Sequence, residues 1–305
     1  MRAAFSEALV RLAQADPNVL LLTGDHGYAL FDDFRRLCPA QYINVGIAEQ
    51  NMVGVAAGLA RARFRPFVYG LSAFVPLRVL EQIKIDVAHD NLPVVFIGDG
   101  AGFVYSHLGT SHQSTEDIAC ARAIPQLSVY SPADRFEMSM CMDTAYRSAS
   151  PVYLRMGKSD RGDVHKEQPQ VRPGELLHVK EGRDGGLALI ATGSMVQTAL
   201  ALASAGYPGA NVWSVPYIKP VAVDQVARIC MSGRAVVVLE EHSIIGGLGS
   251  MVAEIAADMA PTRVLRIGVR DRFSAYCGTY EYLLREHGLD LPTIAERVAG
   301  FEKSH

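Results

Sequence analysis

Apolar positions recur along this chain with two periods. Between residues 3 and 14 they fall on one helical face, at Phe5, Leu9 and Leu12. Asp16-Pro17-Asn18 then turns the chain into Val19-Leu20-Leu21-Leu22-Thr23-Gly24-Asp25, a continuous apolar run of the kind required by a parallel strand buried on both faces. The alternation repeats. The pattern predicts helices over 48–62, 75–90, 115–123 and near 134–148, and strands over 65–69, Val94–Gly98, Leu127–Tyr130 and Val152–Arg155. Strand and helix in turn make a doubly wound α/β unit. Residues 157–186 change character: Lys158, Asp160, Arg161, Asp163, Lys166 and Glu167 crowd ahead of Pro169 and Pro173, which reads as a linker. Apolar strands return at Leu187–Ala191, Val236–Glu241 and Val264–Ile267, with a last helix around Tyr280, Leu283 and Leu284. The prediction is two doubly wound α/β domains, at 1–165 and 187–305, joined by a linker at 166–186.

Composition narrows the function. The 305 residues are 49% hydrophobic and 20% charged, enough to bury the cores of two ordinary domains. A net charge of -3 carries no polyanion signature, so no nucleic acid partner is expected. The five cysteines, Cys38, Cys120, Cys141, Cys230 and Cys277, are scattered without CxxC spacing and predict neither a disulfide framework nor a metal site. Met1 to Glu7 has an acid and no sustained apolar run, and no later segment is long enough to span a membrane. No membrane association is expected, and a cytoplasmic location is.

One stretch carries chemistry. Ile47-Ala48-Glu49-Gln50-Asn51-Met52 sets a single acid at the start of a small-residue helix, directly after the short strand Tyr42-Ile43-Asn44-Val45-Gly46. Alone, a first-turn glutamate is ordinary, favoured by the helix dipole and the unpaired amides. The whole stretch, however, resembles the glutamate motif of the transketolase family. That resemblance implies a thiamine diphosphate pyrimidine-binding domain followed by a transketolase C-terminal domain. It implies that Glu49 shares a proton with the cofactor's aminopyrimidine ring, so that the ring's own exocyclic amine can serve as base. Asp would fall short by a methylene, and Gln has no acid proton to share.

Further segments continue the resemblance. In Gly109-Thr110-Ser111-His112-Gln113-Ser114-Thr115-Glu116-Asp117, His112 falls on the family's substrate-facing histidine, a catalytic and substrate-binding candidate. Ser114 or Thr115 with the following acids reads as a capping box. In Tyr69-Gly70-Leu71-Ser72-Ala73-Phe74, counting back from Gln82 places Phe74 and Leu71 on the family's two phenylalanines beside the aminopyrimidine. Asp25, ending the first strand, matches an acid near the cofactor. Arg2 and Arg155 fall where the family sets arginines against the sugar phosphate, an oxyanion that a forked guanidinium suits.

The departures bear on specificity. Where the family carries Gly-Glu-Asp-Gly, this chain has Ser106-His107-Leu108-Gly109, so Leu108 replaces a hydroxyl-reading aspartate and His107 becomes an alternative polar contact. Gly100 takes the place of a second substrate histidine. Gly98-Asp99-Gly100 mimics the start of a metal-diphosphate motif without the asparagine that completes it, and no metal is assigned to it. The glycine-rich turn Leu239-Glu240-Glu241-His242-Ser243-Ile244-Ile245-Gly246-Gly247 belongs to the family's C-terminal domain, whose implied role is scaffold and dimer surface.

The resemblance spans only the second half of a conventional transketolase. It therefore implies an N-terminal diphosphate-binding subunit as partner, which would hold Mg²⁺, an α2β2 heterotetramer, and transfer of a two-carbon ketol unit from a sugar phosphate to an aldehyde. The beta subunit of a 2-oxo acid dehydrogenase first component shares this domain order, but Ala48-Glu49-Gln50-Asn51 and His112-Gln113 favour transketolase. A deoxyxylulose-phosphate synthase-like activity and a non-catalytic interaction module are the other readings. Retention of Glu49, Phe74 and His112 together argues against the last.

Overall fold

The computed structural model describes residues 1–158 and 160–304, which form two packed α/β units. The strands, in chain order, are β1 (Val19–Thr23), β2 (Tyr42–Asn44), β3 (Arg65–Leu71), β4 (Val95–Asp99), β5 (Ser128–Tyr130), β6 (Val152–Met156), β7 (Leu177–Lys180), β8 (Leu187–Ala191), β9 (Asn211–Ser214), β10 (Tyr217–Lys219), β11 (Ala235–Ser243) and β12 (Val264–Val269). Among the described residues they make a seven-stranded sheet, β10-β5-β6-β4-β3-β1-β2, and a five-stranded sheet, β12-β11-β8-β9-β7. All pairings are parallel except β10 with β5 and β7 with β9.

The apolar runs became central strands because both faces are covered. Along β3, Phe67 and Tyr69 face a core with Phe5, Leu9 and Phe31, while Val68 between them faces a core with Met52, Val53 and Phe96. That second core continues into the other domain through Ile190, Val236 and Val238. The two sheets thus share one apolar interior. The predicted helix over 75–90 is a 3₁₀ turn at Leu77–Val79 running through Leu80–Gln82 into a π-helical stretch, Ile83–Ala88.

Two expectations are corrected. The linker at 166–186 contains β7, which hydrogen-bonds to β9 and forms the edge of the second sheet, so part of it belongs to that domain. Its mixed polar sequence, Leu177-His178-Val179-Lys180, is that of an edge strand with one face in solvent. Conversely, β10 lies within the second domain's stretch of chain yet joins the first sheet. The Lys219 ammonium that ends it donates to the Arg122 and Ile124 carbonyls, at 3.0 and 2.5 Å, closing the Asp117–Ala123 helix.

The glycine-rich turn is structural. Both oxygens of buried Glu240 accept from the first amides of the Leu248–Met259 helix, Leu248 N–H at 2.7 Å and Gly249 N–H at 2.8 Å, so a carboxylate of the chain itself fills that helix N-terminus. No helix among the described residues is long and apolar enough to cross a membrane.

Candidate active site

Ligands of open parallel sheets gather at the carboxyl ends of the strands, and there β1, β2, β3 and β4 deliver the candidate residues. At the end of β2, Asn44 Oδ1 accepts from Gly46 N–H at 2.9 Å and Asp25 N–H at 3.2 Å, pinning two loops together. Gly46 takes the left-handed conformation, φ +73°, that reverses the chain into the Glu49–Arg61 helix. Glu49 is the first helical residue and is only 4% exposed. Its Oε2 accepts from Arg78 Nη1 at 3.0 Å, while Oε1 is buried without a partner. His26 Nε2, also buried and unpartnered, lies 3.9 Å from that oxygen.

Arg78 organises the rest. Its guanidinium lies 4.0 Å over the Phe74 ring, and the other ring neighbour of Phe74 is the His112 imidazole, edge-on at 5.5 Å between centroids. The His112 Nδ1 is 3.0 Å from Ser111 Oγ. Glu49, Phe74 and His112, widely separated in sequence, thus form one continuous cluster through Arg78, which lies outside the motifs that carry the resemblance. The signal was present: Arg78 follows Phe74 by four positions, its N–H bonds the Phe74 carbonyl at 3.0 Å, and this spacing stacks side chains on one helical face. For His26 no local signal existed, because its meeting with Glu49 comes from the packing of two loops.

The remaining candidates fall elsewhere. Leu71 ends β3 and turns the chain with its carbonyl, which accepts from Phe74 and Val75 N–H at 2.8 Å. Asp25 is exposed with φ +62°, and its carboxylate accepts from Tyr28 Oη and Asn44 Nδ2, both at 3.3 Å, so it builds the turn. His107 and Leu108 are exposed on the 3₁₀ turn Ser106–Leu108. Arg2 pairs with buried Asp99 at 3.3 Å and keeps half its side chain in solvent, beside an open cleft of about 630 Å³. Asp99 also accepts from Tyr69 Oη at 2.7 Å and Tyr105 Oη at 3.0 Å. Burial and then the Asp99 charge push the Tyr105 phenol up to about 12, so it is a donor at neutral pH. The glycine at position 100 has its reason here: a Cβ would come within 2.0 Å of the Tyr105 ring.

Arg155 is a correction. Expected to face a phosphate, it is fully enclosed between the two domains, with Nε on Asp117 Oδ2 at 2.8 Å and Nη2 on the Glu241 carbonyl at 2.8 Å. Its charge is neutralised within the chain. Asp117 also accepts from Tyr153 Oη at 2.7 Å, and Ser72 Oγ bridges Tyr153 and Ser114. That network explains a second correction: Ser114 is held inside it, and the Asp117–Ala123 helix starts behind Glu116 with no side-chain cap, so the expected capping box does not form.

Comparison with known proteins agrees with this architecture. Residues 1–162 match the family model for the transketolase pyrimidine binding domain, and residues 174–294 that for the transketolase C-terminal domain. A 6-deoxy-6-sulfo-D-fructose transketolase subunit of Clostridium sp. (strain MSTE9) is 34% identical over 96% of this chain and 92% of its own length. The chain belongs to the transketolase family. A solved split gene transketolase, described as an inactive beta4 tetramer, superposes with a TM-score of 0.88 at 33% identity, covering 98% of this chain and 96% of that one. The 1-deoxy-D-xylulose-5-phosphate synthase of Chlorobium luteolum (strain DSM 273 / BCRC 81028 / 2530) is 37% identical over 98% of this chain, which spans 48% of that protein. Transketolases depend on thiamine diphosphate, and the Glu49 cluster lies in the pyrimidine-binding domain.

Proposed function

We propose that this chain is the carboxy-terminal subunit of a split, thiamine diphosphate-dependent transketolase, transferring a two-carbon ketol unit from a ketose phosphate to an aldehyde. One observation carries the reading: a buried Glu49 with an unpartnered oxygen stands beside a Phe74 face already stacked by a planar cation that bonds the same carboxylate. A planar, protonatable heterocycle makes the same two contacts, so the residues fit the aminopyrimidine. Thiamine diphosphate, when bound, supplies the nucleophilic carbon that carries the ketol unit.

The chain's own residues then divide the work. Arg78 yields its place on Phe74. Phe74 stacks, and Glu49 holds a proton at the ring nitrogen from a water-poor position. His112, edge-on to Phe74, orients the substrate and moves a proton at its oxygen. Arg2 receives the phosphate at the half-exposed end of its pair with Asp99. Leu108 presents an apolar surface where an aspartate would read a hydroxyl, so discrimination at that hydroxyl is relaxed. The diphosphate and its Mg²⁺ are left to a partner subunit, a reading supported by the match of this chain to a protein named as a transketolase subunit. The identity to the Chlorobium synthase supports a second reading, in which the same site takes a 2-oxo acid as donor.

The experiment is co-expression with a chain carrying a transketolase diphosphate-binding domain. The purified complex should bind thiamine diphosphate and Mg²⁺ and transfer a ketol unit, while this chain alone should do neither. Turnover of a ketose phosphate by the isolated chain overturns the proposal. Release of CO₂ from a 2-oxo acid with no ketol transfer selects the second reading.

A further inference from the structure

The loop that carries His107, Leu108 and His112 is gripped at both ends by the second domain. At its start, Phe103 N–H donates to the buried Glu241 carboxylate at 2.7 Å, which also accepts from Ser194 Oγ and Tyr280 Oη. The Phe103 ring stacks on His287, 4.8 Å between centroids and 22° between planes. In mid-loop, the Ser106 carbonyl accepts from Gly278 N–H at 3.4 Å. At its far end, Ser274 Oγ donates to Gln113 Oε1 at 2.8 Å and lies 2.9 Å from His287 Nε2. Gln113 directly follows His112 and, like His287, is only 7% exposed.

The proton count gives this chain of contacts a direction. Ser274 has one hydroxyl proton, committed to Gln113, so its lone pair accepts from His287 in the Nε2–H tautomer. Burial, then the nearby Arg272 charge, holds the His287 imidazole below its ordinary pKa against the opposing Glu286, consistent with a neutral ring. A neutral histidine stacked on Phe103 therefore steadies Ser274, and Ser274 steadies Gln113.

We infer that Ser274 and His287, both in the C-terminal domain, are positioning residues for substrate handling: they fix Gln113, and through the shared backbone set the place of His112. The second domain then has a part in the reaction beyond scaffold. The inference rests on the proposed function only for its kinetic consequence.

The test uses Ser274→Ala, His287→Phe and Ser274→Thr. Ser274→Ala removes one atom from a half-buried loop. His287→Phe keeps a ring on Phe103 but cannot hydrogen-bond, and Ser274→Thr restores the hydroxyl. In the full chain alone, the His112 imidazole resonances should shift in Ser274→Ala and His287→Phe and return in Ser274→Thr. In the assembled enzyme, the first two variants should lose about five- to tenfold in kcat/KM for the sugar, roughly the worth of one hydrogen bond, with the thiamine diphosphate Kd unchanged and Ser274→Thr close to wild type. Unmoved His112 resonances together with wild-type kinetics overturn the inference. If no complex shows ketol transfer, the proposed function fails while the resonance shifts still decide this point.

Discussion

Among single residues, Glu49 differs from a buried carboxylate such as Glu240, whose two oxygens both accept from backbone amides. Glu49 is buried with one oxygen free, a costly state for a carboxylate that serves only as a helix cap. Glu49→Gln should keep the fold and leave turnover in the assembled enzyme down by more than the ~10²–10⁴-fold typical of one acid–base group, because the proton it holds is needed before any later step. Circular dichroism reports the fold and single-turnover rates report the loss; a wild-type rate in the variant would remove Glu49 from the mechanism. Arg78, whose side chain is 45% exposed, pairs with a Glu49 side chain that is only 4% exposed. Arg78→Ala strands that buried carboxylate and should therefore cost the isolated chain about 1–3 kcal/mol, read as the urea midpoint, and adding Glu49→Gln should recover most of it. No loss in Arg78→Ala would mean that the guanidinium is not what compensates the Glu49 charge. The sequence made Glu49, Phe74 and His112 legible because each sits in a short run of neighbours with its own pattern. It left Arg78 and His26 unread because their significance lies in what they touch across the fold.

Elements were legible where their apolar period was long. β1 is buried along its length and β3 everywhere but its two end residues, and both stand where the pattern put them, as does the Glu49–Arg61 helix. β7 and β10 are short, their polar neighbours hide them, and only the partner strand decides which sheet each joins. The Arg135–Arg147 helix shows how an element anchors its surroundings. Asp134 caps it with Oδ1, accepting from Phe136 N–H at 2.9 Å and Glu137 N–H at 2.8 Å. With Oδ2 it accepts from Val164 and His165 N–H, both at 2.8 Å, tying down the chain as it leaves the first domain. Asp134→Ala should therefore exceed the ~0.5–2 kcal/mol of an ordinary cap, measured by urea unfolding; a smaller value would show that the departing segment contributes nothing. The His165 ring reaches Glu137 Oε1 at 2.9 Å. Burial opposes its charging, but Glu137 and then Asp134 outweigh that and raise its pKa above the ordinary 6.5. A raised folded pKa gives stability that is complete below 6.5 and is lost as pH rises through the folded value. His165→Gln should flatten the stability curve from pH 6.5 upward, and an unaltered slope there would show that the pair carries no linkage.

At the scale of the whole molecule, the two α/β units are not independent beads. They share an apolar core running from Val68 and Phe96 to Ile190 and Val238, and β10 leaves one domain to complete the other's sheet. At their junction Arg155 is enclosed with Asp117, Tyr153 and the Glu241 carbonyl. Gly102 permits the close approach: its φ of +68° is left-handed, and a Cβ there would lie 2.2 Å from Glu241 Oε1. A pair so deeply buried adds little against an apolar replacement of equal size, since the desolvation of both charges offsets their attraction, but it is expensive to break from one side. The junction therefore makes a sharp prediction. The wild-type chain should unfold in one transition, with calorimetric and van't Hoff enthalpies equal. Arg155→Met leaves Asp117 charged and buried beside Tyr153, and should cost about 3–5 kcal/mol. It should also split the transition, because the lost bond to the Glu241 carbonyl is one that joins the two domains. Arg155→Met combined with Asp117→Leu removes both charges and should recover most of that loss, but not the single transition, since the Glu241 carbonyl stays unbonded. If Arg155→Met alone unfolds in one step with little loss, the shared core alone couples the domains, and the arginine is not what joins them.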